Sequence, residues 1–176
     1  PLILHLHGRG IAEQATSQLW RTLYRWGLNR CAIVSASPGM SARELAPLDL
    51  TDGHLYVVPN TVDRIDTARF VSARVRSGTP RLLFLSSTFP FKGIFVLLES
   101  LQRLLRRGVA FEAEIVGTST VEHDGRIEQL IATHGLSSRV RFLGGLYGED
   151  KCHALGRANV FVHPTLNDYF PLVILE

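Results

Sequence analysis

Cysteine is scarce in this chain. Cys31 and Cys152 are the only two, they stand far apart, and they form no metal-type pair. That excludes a disulfide-stapled miniprotein and a cysteine zinc site, and it suits a reducing compartment. The seven histidines supply no zinc spacing either, so no metal is expected. Lysine is scarcer than the charge implies: of nineteen basic residues only Lys92 and Lys151 are lysines. No apolar run approaches the ~20 residues needed to cross a bilayer, and no signal peptide opens the chain. Several chemical signatures are missing too. There is no GxGxxG dinucleotide loop, no Walker loop and no GxSxG nucleophile elbow. No Asp-x-Asp pair is present to hold a divalent ion beside a diphosphate.

What is present is an ordinary globular composition. The chain has 176 residues, 45% apolar and 20% charged, enough for one good-sized domain or two small ones. A chain of this length buries roughly 70% of its unfolded surface, which excludes a disordered tail. The formal net charge is +3, but the basic residues are spread along the chain, so a nucleic-acid partner is not expected. The arginine excess reads as compositional background, against which each lysine position is worth inspecting. Pro1 opens directly on a strand-like run and Glu176 ends inside what reads as the start of a helix. Both ends look cut, as in a fragment of a longer enzyme.

Short apolar runs alternate with helical periodicity. Strands are expected at 2–6, 31–36 and 55–58. Between the first two lies a helix with Leu19, Trp20, Leu23, Tyr24 and Leu28 on one stripe, and a shorter helix is expected at 41–46. The stripe reads as core packing; the alternative is a surface resting on anionic lipid. Residues 63–80 are polar and close on Ser-Gly-Thr-Pro, with room for a short helix at 68–75; they read as an interdomain connection. The second half predicts strands at 81–85, 111–116, 140–143 and 160–163. Helices are expected at 93–107, with Ile94, Leu97, Leu98, Leu101, Leu104 and Leu105 on one face, at 126–134 and at 149–157, and a further one starts at Leu172 with Pro171 as its first residue. Such alternation gives a parallel sheet covered by helices. The fold class is therefore α/β, with two Rossmann-like parallel-sheet domains, the first incomplete: 1–62, a connection at 63–80, and 81–176.

Ligands of open parallel sheets bind beyond the carboxyl ends of the strands. The candidates there are 7–10, 35–38, Asn60, 86–88, 117–119, Gly144, Gly145 and 165–169. Lys92 stands where the loop after a strand enters a long helix, a natural anion site; the plainer reading is a solvated residue at a helix start. In the segment 167–176, Asp168 and Glu176 are acids with seven residues between them. Alone, Asp168 reads as a helix cap and Glu176 as a solvent-facing helix residue. His7 reads as structural or as a ligand contact, with His5 on the same strand face and buried.

Together these pieces resemble the retaining GT-B glycosyltransferases of family 4. The resemblance is carried by 164–176, Phe91-Lys92-Gly93, Ile115-Val116-Gly117 and the turn at 140–144. Upstream, Val57-Val58-Pro59-Asn60-Thr61-Val62-Asp63 resembles the family's crossing from acceptor to donor domain, and His7-Gly8 its acceptor-domain strand end. The resemblance implies metal-independent transfer of a sugar from a nucleotide-diphosphate sugar, such as a UDP- or GDP-sugar, with retention at the anomeric carbon. The acceptor would be a glycan, a lipid-linked molecule or a small molecule. The nucleotide sugar is the donor substrate, and no cofactor is implied. Carried over by position, Lys92 holds the diphosphate, Glu176 the ribose hydroxyls, and Asp168 the donor sugar hydroxyls. The amides around Phe170, Pro171, Leu172 and Val173 cap the diphosphate. Gly117 and the 141–143 stretch, with Phe142 at its centre, line the base pocket. His7 contacts the acceptor or the donor sugar, and Arg9 binds acceptor or phosphate. Localisation follows as cytoplasmic, with peripheral contact at the inner membrane face as a further option.

Five positions depart from the family pattern, two of them, Thr61 and Ser86, each standing in place of a glycine. Ser87 stands where the family commonly has an arginine that shares the diphosphate. Asp168 is one methylene shorter than the usual glutamate. Pro171 replaces a glycine and removes one amide donor. Two other readings stay open: a sugar-nucleotide epimerase or phosphorylase of the same architecture, and a non-catalytic nucleotide-binding module.

Overall fold

The computed structural model describes residues 2–6, 14–35, 37, 39, 41–50, 55–62, 78–168 and 170–176. His7, Arg9, Tyr169 and residues 63–77 of the expected connection lie outside the described residues. The chain divides into two compact units, one of residues 1–63 with 169–176, the other of residues 64–168.

In the first unit β1 (Leu2–Leu6), β2 (Cys31–Ser35) and β3 (Leu55–Val57) form a parallel sheet in that order. Helix α1 (Gln18–Leu28) follows β1, capped by the Ser17 hydroxyl accepting from the Trp20 amide and stopped at Asn29. The core is small: Leu6, Ala15, Leu28, Ile33, Leu45 and Leu48. The expectation that α1 packs its whole stripe inward is corrected. Leu19, Trp20 and Leu23 are exposed, because only the last turn, through Leu28 and half-buried Tyr24, meets that core. His5, expected to be buried, is exposed. Residues 41–48 form a π-helical turn (Ser41–Leu45) running into a 3-10 turn (Ala46–Leu48) instead of one short helix.

The second unit holds β4 (Arg81–Leu85), β5 (Glu112–Val116), β6 (Val140–Gly144) and β7 (Val160–Phe161), all parallel, in the order β6-β5-β4-β7. Helix α2 (Ile94–Arg106) buries Ile94, Leu97, Leu98 and Leu101, the expected stripe, against Phe84, Ile115 and Ile127 in one sealed core. Helix α3 (Val121–Thr133) starts five residues before the expected Arg126. The Thr120 hydroxyl caps it by accepting from the His123 amide, and Glu122 and Asp124 in its first turn favour the positive pole of the dipole. Helix α4 (Gly148–Arg157) leads to β7. Central β5 is buried on both faces, so its one buried acid needs partners. Glu114, 6% exposed, takes Arg157 in a forked pair (Nη2–Oε2 2.9 Å, Nε–Oε2 3.1 Å) and Arg141 on its other oxygen.

The strand order places the switch point. The chain moves from β4 through β5 to β6, then crosses back to lay β7 on the other side of β4. Crossovers therefore leave the sheet in opposite directions on either side of β4, which opens a crevice between the carboxyl ends of β4 and β7.

Candidate functional site

The loop after β4 is pinned from both sides of the switch point. Toward β5, the Ser86 amide donates to the Val116 carbonyl at 3.1 Å and the Thr88 amide to the Thr118 carbonyl at 3.4 Å. The fully buried Thr88 donates its hydroxyl to Asp124 Oδ1 at 2.6 Å and accepts from the Ser119 hydroxyl at 2.8 Å. Toward β7, the Phe91 carbonyl accepts from the Leu166 amide at 2.9 Å. Two glycines let these segments touch. A Cβ on Gly117, at φ +130, would stand 1.8 Å from the Ser86 carbonyl oxygen, and one on Gly93, at φ +80, 1.9 Å from that of Pro164.

This frame delivers Lys92, the last residue of a 3-10 turn (Pro90–Lys92), to the crevice. Its ammonium donates to Asp168 Oδ2 across 76 residues of sequence, and both side chains are about four-fifths buried, at 19% and 16% exposed. The ammonium also stands 5.5 Å from the centre of the Phe91 ring, which stacks on Phe89 at 5.6 Å. Asp168 is thus a partner of the lysine, not a helix cap. Beside it lies His163, stacked on Phe161 at 5.9 Å, with Nε2 3.9 Å from Asp168 Oδ2. Burial holds its pKa below the usual 6.5, outweighing the opposing pull of Asp168, and the Lys92 charge adds to the lowering.

The expected site residues fall into three groups. Lys92 and Asp168 meet at the crevice, and Ser87 and Gly117 sit beside it at the ends of β4 and β5 in the same unit. Phe142 lies on β6 and packs partly against the core, which ties its ring to the fold. Phe170, Pro171, Leu172, Val173 and Glu176 group with the first unit. There Leu172–Ile174 is a single 3-10 turn, with Pro171 before it and not as its first residue.

His163 was not among the expected residues. It reads in the sequence as the last residue of a strand, and the one signal was a histidine five positions before the candidate acid. Asp124 was missed for a related reason: the helix that carries it was placed too late. Thr88 and Ser119 fell within the expected strand-end sets.

Residues 66–176 match the family model described as glycosyl transferases group 1. The MMP alpha-(1->4)-mannosyltransferase of Mycolicibacterium hassiacum is 28% identical over 144 residues, 82% of this chain and 34% of that protein. A phosphatidylinositol N-acetylglucosaminyltransferase component of Arabidopsis thaliana is 29% identical over 131 residues, 72% of this chain and 28% of that one. The chain therefore spans about a third of the length of these curated relatives. Among solved structures, Anabaena HepE in complex with UDP superposes with a TM-score of 0.77 at 20% identity, over 99% of this chain and 50% of that one. Sucrose-phosphate synthase from Thermosynechococcus elongatus gives 0.73 at 21% identity, over 97% and 46%. At such identities the likeness speaks for the fold alone: the α/β, parallel-sheet architecture of GT-B glycosyltransferases.

Proposed function

Because this chain belongs to the glycosyl transferases group 1 family, we propose that it moves a sugar from a nucleotide-diphosphate sugar to a glycan, lipid-linked or small-molecule acceptor, with retention at the anomeric carbon. The observation that carries the reading is the meeting of Lys92 and Asp168 at the switch point of the second unit's sheet. A diphosphate leaving group needs positive charge where its oxygen parts from the anomeric carbon. Lys92 supplies that charge in a partly dry site, where it is worth more than in water. Asp168 is an acceptor-only group suited to the hydroxyls of the sugar. By the family resemblance, Glu176 holds the ribose hydroxyls and His7 contacts acceptor or sugar. Anabaena HepE has been crystallised with UDP and with UDP-glucose, and a uridine or guanosine diphosphate sugar is the donor class proposed for this chain. The charge relief rests on a side chain, so the transfer is read as metal-independent.

Thermal shift with UDP- and GDP-sugars tests the donor site. A donor at 100 times its Kd stabilises the protein by about 2.7 kcal/mol. Lys92→Ala is expected to remove most of that shift, and a chelator such as EDTA to leave the transfer rate unchanged. No stabilisation by any nucleotide sugar, or an undiminished shift in Lys92→Ala, rules the donor site out. Ser87 favours one other reading, a module that binds without catalysing, because a serine brings no second cation to the leaving group. Stabilisation without transfer to any acceptor would support it.

A further inference from the structure

His163 stands one residue beyond the β7–Val162 hydrogen bonding, with its side chain 8% exposed and both ring nitrogens bonded to no described residue. A buried polar atom left unpaired is costly, so an imidazole in this place carries a cost that an apolar ring of similar shape avoids. The ring is held by its stack on Phe161, and that stack aims Nε2 at Asp168 Oδ2. The 3.9 Å separation is too long for a hydrogen bond. The same oxygen is taken by the Lys92 ammonium. Asp168 Oδ2 thus lies between the Lys92 ammonium, which reaches it, and the His163 Nε2, which does not.

We propose that His163 is a positioning residue that takes over Asp168 when a diphosphate draws Lys92 away. The inference rests on the donor-site reading above. In the free protein Lys92 and Asp168 neutralise each other. A nucleotide sugar brings two negative charges and competes for the ammonium, which would strand the Asp168 carboxylate in a largely buried place. An approach of about 1 Å brings Nε2 to hydrogen-bonding distance of Oδ2. The imidazole then takes one proton from solvent, so that both its nitrogens carry hydrogen and its charge replaces the one withdrawn. The balance closes: before binding, an ammonium faces a carboxylate; afterwards, the ammonium faces the diphosphate and an imidazolium faces the carboxylate, for one proton taken up. Among the described residues, the charged groups acting on the ring are Asp168, from the loop after β7, and Lys92, from the turn before α2. Asp168 raises its proton affinity and Lys92 lowers it, so moving the lysine onto a ligand shifts the ring toward its charged form. Asp168, held by imidazolium, stays oriented toward the sugar hydroxyls.

Calorimetry with UDP-glucose and GDP-mannose tests this, because neither diphosphate titrates between about pH 5.5 and 8. The free ring titrates below 6.5 and the bound ring above it, so affinity is highest at the acidic end and falls as pH rises. A shift of one pKa unit is worth up to tenfold, and wild-type affinity is expected to drop about fivefold from pH 6 to pH 8. Titrations in two buffers of different ionisation heat should detect net proton uptake on binding between pH 6 and pH 8. His163→Gln, which can donate but not titrate, should bind with a flat pH profile and no uptake. His163→Phe, which keeps the stack, should bind more weakly at every pH. Tight binding by the wild type with no proton uptake overturns the proposal while leaving the donor site standing. So does an unchanged pH slope in His163→Gln. If neither sugar nucleotide binds the wild type and Lys92→Ala changes nothing, the donor-site reading falls and the inference with it.

Discussion

At Gly93 two demands fall on one atom. The φ of +80 belongs to the left-handed region that L-residues avoid, and the place of a Cβ is already filled, 1.9 Å from the Pro164 carbonyl oxygen. Gly108 makes the first demand without the second: its φ is +69, and nothing lies within 4 Å of a built Cβ. The pair therefore separates backbone strain from collision. Gly108→Ala is expected to lose about 1 kcal/mol. Gly93→Ala adds the displacement of the 163–168 loop and is expected to lose about 2–4 kcal/mol. Urea denaturation of both variants checks the difference, and equal losses would mean that the Pro164 contact carries no weight. Lys92, one residue earlier, was legible because lysine is rare in this chain and because it ends a strand-to-helix loop. From its local sequence Asp168 was legible as an acid near a helix start, and by the family resemblance as a sugar contact. Its partnership with Lys92 spans 76 residues, and no local pattern carries such a contact. His163 was hidden by its own strand, since a histidine ending an apolar run looks like packing until its nitrogens are found without partners.

Among the elements, those with unbroken periodicity were legible nearly to the residue. β4 matches its expected bounds, and α2 its inward stripe, because leucine and isoleucine repeat there at helical spacing with no interruption. α3 was shortened by its glycine. Gly125 sits on the exposed side of the helix, after the polar run Glu122-His123-Asp124, and a glycine there reads as a break. The cap and first-turn acids overrode it, a case of local electrostatics outvoting propensity. The glycine itself serves no visible purpose: nothing lies within 4 Å of a built Cβ, and its φ is not in the left-handed range. Gly125→Ala should therefore stabilise the second unit by about 0.5–1 kcal/mol, by lowering the backbone entropy of the unfolded chain. The urea midpoint should rise with an unchanged slope. A loss of stability would show that the helix needs the glycine for a contact not seen in the described residues.

At the scale of the whole molecule the two units differ in how well they seal their strands. Residues of β4 and β5 lie in a continuous core, with Leu83, Phe84 and Ile115 essentially inaccessible. In the first unit Leu2 and Ile3 of β1 are 67% and 65% exposed, and all three residues of β3 are exposed. The alternation of strands and helices was visible in the sequence for both units, since both carry apolar runs of similar composition. How much each sheet buries was not, because burial depends on what covers a face and not on the run itself. α1 makes the point: its apolar stripe was expected in the core and meets it only through its last turn. Opening free energy follows buried apolar contact, so amides of weakly covered strands exchange through smaller, cheaper openings than those of sealed ones. Hydrogen exchange followed by mass spectrometry should therefore find peptides covering β1 and β3 exchanging at least about tenfold faster than those covering β4 and β5, a difference of ~1.4 kcal/mol in opening free energy. A saturating nucleotide sugar should slow exchange in the 86–93 and 163–168 loops, because these carry Lys92 and Asp168. Equal protection of the two sheets in the free protein would mean that the units open together as one cooperative body, and that the exposed faces of the first do not set its stability.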